Sequence, residues 1–268
     1  MSRSQTLSNL LNLVDAAKEE LPIERQFLND LTATIERHNE KTHRAPSQTY
    51  KPSSLHCIRN MYYQVTGVQG KADRETAELI GICESGTDRH ERIQDYVALM
   101  KDYNIECEYV DVGEYVKSRQ AEGLLTDLDI VSKQGNETKL YNKKLNMSFL
   151  CDGIIRYKRK YYILEIKTEN SNKFWDRKDV NPDHILQGTA YALNFGIQDV
   201  LFLYECRDNC SKKAYMLHVT EKMMSDLFAK IVECDDYVAQ FKCPPIPEDL
   251  SKKACAYCPY AENCKYEV

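Results

Sequence analysis

The chain has 268 residues, 43% of them apolar and 29% charged, which is enough to bury a substantial core; with 10 Gly and 8 Pro it is neither collagen-like nor low in complexity. No apolar run approaches the roughly 20 residues that span a bilayer, and the first apolar cluster, Leu7, Leu10, Leu11 and Val14, is broken by Asn12 and followed by charge, unlike a secretory signal. Net charge is −5, yet positions 133 to 178 hold twelve Lys or Arg against five Asp or Glu, so this stretch carries +7, the rest carries −12, and one region alone suits a polyanion.

Apolar residues at 7, 10, 11, 14, 17 and 21, and again at 27, 28, 31 and 35, keep helical spacing on either side of Pro22 and predict an N-terminal helical cap. Residues 39–52, polar and with two prolines, read as a linker. A helix capped by Ser53 or Ser54 is expected next, with Leu55, Ile58, Tyr62 and Val65 on its apolar side, Cys57 in its first turns and Gly67 at its left-handed stop. A long helix follows, with Leu79, Cys83, Gly86, His90, Ile93, Val97 and Met100 on one face and His90 aimed at the core.

From 105 to 168 the period changes to two, and IECEYVDVGEYV, GLLTDLDIV, MSFLCDGIIRY and KYYILEIKT predict a meander of strands. Asn181 and Pro182 mark the start of a helix running to about Phe195. Strands at DVLFLYEC and KAYMLHV come next, then a helix from Thr220 to about Phe241 with Met224, Leu227, Ile231, Cys234, Val238 and Phe241 on one side. This order predicts an α/β core with a mixed central sheet flanked by helices.

Glu165 and Lys167 lie two apart in LEIKT and project from one strand face, while Asp152 ends MSFLCD just before Gly153. A hairpin turn near Arg159 and Lys160 would bring the two strands together, gathering two carboxylates whose repulsion a divalent cation would relieve. The same residues also fit a solvated strand face carrying a Glu–Lys pair. His90, one turn after Gly86, and Gln187 with Tyr191, one turn apart on the following helix, are within reach of the same volume. Arg156, Lys158, Arg159 and Lys160 are candidate phosphate contacts or, equally, a charged hairpin tip.

Eleven cysteines without an export signal point to reduced thiols and metal ligation rather than a disulfide framework. Cys255, Cys258 and Cys264 form a CxxC followed by five residues and a third thiol, a metal-ligand pattern without a fourth local ligand; ligand chemistry accepts an iron–sulfur cluster or a Cys₄ zinc. Cys83, Cys107, Cys151, Cys206, Cys210, Cys234 and Cys243 are expected to pack as small buried residues.

In that order, GTDRH, CDG, LEIKT and QGTAY resemble the motifs of RecB-type nucleases of the PD-(D/E)xK superfamily, over roughly residues 50 to 268. The resemblance implies a restriction-endonuclease-like core, with His90, Asp152, Glu165 and the carbonyl of Ile166 binding one or two magnesium or manganese ions. Lys167 would polarise water or phosphate, and Gln187 and Tyr191 would orient the substrate. One remote cysteine before the core and three after it resemble the iron–sulfur branch of that family, which includes the CRISPR-adaptation exonuclease and the AddB nuclease domain. By that likeness Cys57, Cys255, Cys258 and Cys264 hold a four-iron four-sulfur cluster that staples the tail, with structural zinc as the alternative.

The expected domains are an N-terminal extension, 1–45, and a nuclease domain, 46–268, with its core at about 72–242 and the staple joining 53–66 to 243–268. The leading expectation is a cytoplasmic, prokaryotic or phage-borne, metal-dependent exonuclease, without a fused helicase motor, acting on single-stranded DNA or DNA ends. Recombination, repair, replication, phage DNA metabolism or CRISPR adaptation would supply its partner proteins, with self-association allowed and no membrane involved. A non-catalytic DNA-binding scaffold and a zinc-stapled endonuclease are the alternatives.

Overall fold

The computed structural model describes residues 22–41, 47–70, 76–135, 137–247, 255 and 258–266. The helix expected over 7–21 and much of the cysteine-rich tail lie outside them. The chain divides into two units, residues 1–44 with 74–82, and residues 45–73 with 83–268. In the first, helix α1 (Ile23–Lys41) follows Pro22, and its Glu36 carboxylate accepts the backbone N–H of Ala77 at 3.1 Å.

The second unit is built on two sheets. Five strands, β1 (Cys107–Val110), β5 (Gly153–Tyr157), β6 (Lys160–Glu169), β7 (Asp199–Cys206) and β8 (Lys212–His218), run in the order β1-β5-β6-β7-β8. All neighbours are antiparallel except β6 and β7, which are parallel and so require the crossover that α5 (Ser171–Asp176) and α6 (Pro182–Phe195) supply. A separate antiparallel sheet holds β2 (Leu128–Gln134), β3 (Glu137–Asn142) and β4 (Met147–Cys151) in that order. The result is the mixed α/β core that the element order implied.

Local chemistry accounts for most boundaries. Asn181 caps α6 by accepting the N–H of Asp183, Pro182 occupies its first turn, and Gly196 ends it at φ 67°. Thr220 caps α7 (Glu221–Ala239), whose buried stripe is Leu227, Ile231 and Cys234. Lys158 and Arg159 both adopt left-handed φ, 47° and 68°, the requirement of a two-residue hairpin between β5 and β6. Helix α6 approaches the sheet through Gly188, where an added Cβ would lie 3.0 to 3.2 Å from Leu217 and Phe202. Its Ala190, Tyr191 and Phe195 join Val200, Phe202, Leu227 and Ile231 in the main core.

Several expectations are corrected. The segment IECEYVDVGEYV is a strand only as far as Val110; Asp111 then caps helix α4 (Val112–Ala121) by accepting the N–H of Glu114, so a cap ends the period-two pattern. MSFLCDGIIRY is two strands in two sheets, with the chain changing sheet at Asp152, and β3 was not anticipated. The expected linker ends in a core residue: Tyr50 is fully buried, pairs with Met147, and donates its hydroxyl to Asp235 at 2.6 Å. Pro52–Ser54 form a short 3₁₀ turn, and Cys57, rather than Ser53 or Ser54, occupies the cap position of α2 (Ile58–Val65). Phe241 lies beyond α7 and is 92% exposed.

Gly153 opens β5, where a Cβ would fall 2.7 to 2.9 Å from the ring and hydroxyl of Tyr109. Gly153→Ala should therefore destabilise the protein by about 1–3 kcal/mol, the usual cost of forcing an extra methyl group into packed space. Thermal unfolding checks this, and a melting temperature unchanged from wild type would contradict it.

Candidate metal centre

Asp152 lies at the switch between the small sheet and the large one. Its carbonyl is held from two sides, by the hydroxyl of Tyr109 at 2.5 Å and the side-chain amide of Gln94 at 2.8 Å. The Tyr109 ring occupies the space that any side chain at 153 would need, which is the physical reason for glycine after this aspartate. With the backbone fixed, the carboxylate points two ways: one oxygen accepts the Ile166 N–H at 2.6 Å and the other lies 3.1 Å from His90 Nδ1.

Helix α3 (Ala77–Leu99) presents His90 to this carboxylate, so the imidazole meets an acid at the edge of the core and is not simply packed within it. Burial works against protonation of His90, but the hydrogen bond and charge of Asp152 outweigh it and raise its pKa. The Ile166 N–H points toward Asp152, and in an extended strand a residue's C=O faces the same edge as its N–H, so the Ile166 carbonyl opens on this side as well. The β5–β6 pairing ends at Gly153 and Leu164, which leaves that edge of β6 beside Asp152.

Glu165 and Lys167 project from one face of β6 toward α6. The Glu165 side chain is 2% exposed; its Oε1 accepts the Lys167 ammonium at 2.6 Å and the Gln187 amide at 2.7 Å. Gln187 Oε1 in turn accepts Lys167 Nζ at 2.9 Å, and its amide also reaches the Tyr191 hydroxyl, which donates to the Leu150 carbonyl. The second carboxylate oxygen, Oε2, is buried and has no hydrogen-bond partner among the described residues. Burial first, and the neighbouring Asp152 charge second, push the Glu165 pKa up to about 7 despite the Lys167 ammonium. A buried carboxylate oxygen with no donor, beside a second carboxylate, is an environment that a hard divalent cation with oxygen ligands fits.

Sequence reasoning missed one residue. Glu137 begins β3, and the pairing of Thr138 with Cys151 in the β3–β4 ladder puts Glu137 opposite Asp152. His90, Glu137 and Asp152 each offer a ligand atom, all within 4.8 Å of one another. Burial, then the Asp152 charge, raises the Glu137 pKa. The only signal for it in the chain was the short alternation of ETKLYN.

The hairpin cations stand elsewhere, at the far end of β5 and β6 from Glu165 and Lys167. Arg156 pairs with Glu108 at 2.9 Å, Arg159 with Glu106 at 3.1 Å, Lys160 with Asp199, and the Lys158 ammonium lies 5.2 Å from the Tyr157 ring centroid.

Among the thiols, Cys57 is buried at the head of α2, whose other side chains line the approach of the tail. Asn60 donates to Cys258 Sγ at 3.6 Å, Arg59 to Cys243 Sγ at 3.3 Å, and the Tyr63 ring packs against Tyr260 with centroids 5.4 Å apart. Burial raises the pKa values of Cys258 and Cys264, and each also senses Cys57; Cys264 senses Cys243. Cys57, Cys258 and Cys264 thus lie near enough to influence one another's charge, with Cys243 near Cys264, although among the described residues no three sulfurs lie within 4.8 Å of one another; Cys255 is exposed. Cys107, Cys151, Cys206 and Cys234 are buried as expected, but Cys83 and Cys210 are exposed and Cys243 is half-buried, because they lie on a helix surface, a turn and a loop.

No family model and no curated protein matches the chain. Among solved structures, one described as the crystal structure of SSO0001 aligns over 90% of this chain and 98% of its own, at 16% identity and a TM-score of 0.46. The alkaline exonuclease LHK-Exo of Laribacter hongkongensis aligns over 74% of this chain and 91% of its own, at 12% identity and a TM-score of 0.41. The same enzyme in complex with dAMP gives 13% and 0.39, with 74% and 93% covered. No described helix is long and apolar enough to cross a membrane.

His184, behind the site, stacks on Phe202 and Tyr204 and bonds the Tyr204 hydroxyl at 3.0 Å. Burial, helped by the Lys167 charge, lowers its pKa from 6.5 to about 3. The folded chain therefore keeps this ring neutral while the unfolded chain protonates it, so stability is full above about 6.5 and drains as pH falls toward about 3. In His184→Gln the acid side of the stability–pH curve should be shallower than in wild type, measured by urea unfolding from pH 7 to 4; parallel curves would contradict the assignment.

Proposed function

We propose that the protein is a divalent-metal-dependent deoxyribonuclease that hydrolyses phosphodiester bonds, with exonuclease action on single strands or DNA ends the favoured mode. The observation that carries this reading is the buried, partnerless Oε2 of Glu165 beside Asp152 and Lys167. The residues suited to hold magnesium or manganese are Asp152, Glu165, His90, Glu137 and the carbonyl of Ile166. Such an ion, when bound, lowers the pKa of water and neutralises charge on phosphate.

The chain's own groups do the rest. Gln187 and Glu165 together hold the Lys167 ammonium in one position, and it adds a fixed positive charge where negative charge grows on the phosphoryl oxygens. Tyr191, bonded to the Leu150 carbonyl, locks the Gln187 amide and so keeps Lys167 aimed. In the reaction a water oxygen bonds to phosphorus, the bond from phosphorus to a sugar oxygen breaks, and the proton released by water ends on the leaving alkoxide.

The tail is read as a metal staple. Cys57, Cys258 and Cys264, with Cys255 brought in or Cys243 in its stead, would hold an iron–sulfur cluster, and zinc is the competing occupant of the same thiolates. By resemblance, the cellular setting would be a prokaryotic or phage cytoplasm, with recombination, repair, replication or spacer acquisition as its context.

End-labelled single- and double-stranded DNA incubated with manganese should be degraded, and Glu165→Ala and Lys167→Ala should each lower the rate at least about a hundredfold, with circular dichroism unchanged. Full activity in both variants would eliminate the site, and a folded wild-type protein that cuts no DNA would favour the scaffold reading. Protein purified without oxygen should be brown and contain iron and acid-labile sulfide, both lost in Cys57→Ser; colourless protein with stoichiometric zinc would select the other metal.

A further inference from the structure

We propose that Trp175 is a stacking platform for an unpaired base of the strand that enters the Glu165–Lys167 site, an inference that rests on the nuclease reading. Trp175 is the chain's single tryptophan and is 57% exposed. A large aromatic ring left in water costs the fold the burial it would otherwise gain, so the manner of its support is informative.

The short helix that carries it is tied down at every side. Asn170 caps α5 by accepting the Lys173 N–H, and Phe174 is buried, with its ring edge-on to that of Trp175 at 5.0 Å. Lys213 donates to the carbonyls of Phe174, Trp175 and Arg177 at 2.7, 3.3 and 3.0 Å, and the Tyr215 hydroxyl donates to Arg177 O at 2.8 Å. The backbone is therefore rigid while the indole stays out, the condition under which an aromatic side chain pays little entropy on stacking.

The same anchors connect this helix to the catalytic strand. Glu165, Lys167 and Glu169 occupy one face of β6, each about 6.6 Å from the next. Glu169 takes a two-pronged ion pair from Arg177, at 2.5 and 2.7 Å, in a nearly buried setting. The Arg177 guanidinium also lies 4.5 Å from the ring centroid of Tyr204, the residue paired with Lys167 across β6 and β7. Lys167, Tyr204 and Lys213 are register partners across β6, β7 and β8, so the indole, held beside the Lys213 ammonium, lies toward the β8 end of the row that Lys167 begins.

Charge identifies the ligand. The Lys213 ammonium sits 5.5 Å from the indole centroid, and Lys173 and Lys178 are exposed within three residues of Trp175. Asp176 and Asp179 are exposed in the same stretch, so the cations there are partly offset; an exposed aromatic face with an ammonium beside it still suits a base next to its phosphate, and stacking without hydrogen-bond readout tolerates any base.

Intrinsic fluorescence reports directly on this residue, because excitation at the red edge reaches only its indole. In chelator, which spares the DNA, a twelve-residue oligothymidylate should quench the emission saturably, at the same midpoint given by anisotropy of a labelled copy. Blunt duplex should quench far less. By anisotropy Trp175→Ala should weaken binding about tenfold or more, the worth of one stacked base, and Trp175→Phe should recover most of it. Binding without quenching, or equal affinity in Trp175→Ala, overturns the platform while metal-dependent cleavage leaves the nuclease reading intact. If wild type neither binds nor cuts DNA, both fall together.

Discussion

The interior holds a glutamate that is only half satisfied. One oxygen of Glu165 is claimed by Lys167 and Gln187, while the other is enclosed with no donor of its own. A buried carboxylate with one oxygen left without a donor carries a desolvation cost that its ion pair only partly offsets. The surrounding structure is arranged so that this cost is borne at one place: β6 carries the acid between two strands, α6 closes over it with Gln187 and Tyr191, and Asp152 adds a second negative group beside it. A divalent cation is the simplest species that would complete the set.

The support around the acids is as specific as the acids themselves. Tyr109 and Gln94 hold the Asp152 carbonyl, so the change of sheet at that residue becomes a fixed corner from which the carboxylate reaches both β6 and α3. Glycine at 153 is needed because the tyrosine ring fills the space beside it. The Arg177–Glu169 pair extends the same logic past Lys167, carrying an exposed indole on a braced helix at the rim.

A second cluster of positive charge has a structural account. Glu205 is completely buried and receives Arg89 at 2.9 Å, Arg92 at 2.5 Å and Lys212 at 3.0 Å, so α3 is fastened to β7 and β8 by one acid and three cations. Their attraction holds the Glu205 pKa down although burial opposes it. Because α3 also carries His90, this ion cluster sets the imidazole's reach toward Asp152.

Much was legible in the residue order: the α6 boundaries from Asn181, Pro182 and Gly196, the shared face of Glu165 and Lys167 from their spacing, and the one-turn relation of Gln187 and Tyr191. These follow from local rules, since a cap, a proline or a two-residue period acts over a few bonds. What depends on partners distant along the chain was not legible. Asp111 ended a strand by capping α4, Tyr50 left an apparent linker for the core, and Glu137 came opposite Asp152 only through a ladder between two short strands. The thiols divide in the same way: spacing singles out Cys255, Cys258 and Cys264 as a ligand-like pattern, but only packing sets Cys258 beside Asn60 and Cys243 beside Arg59 while Cys255 is exposed. Local covalent spacing determines which groups share a face; only tertiary contact decides which faces meet.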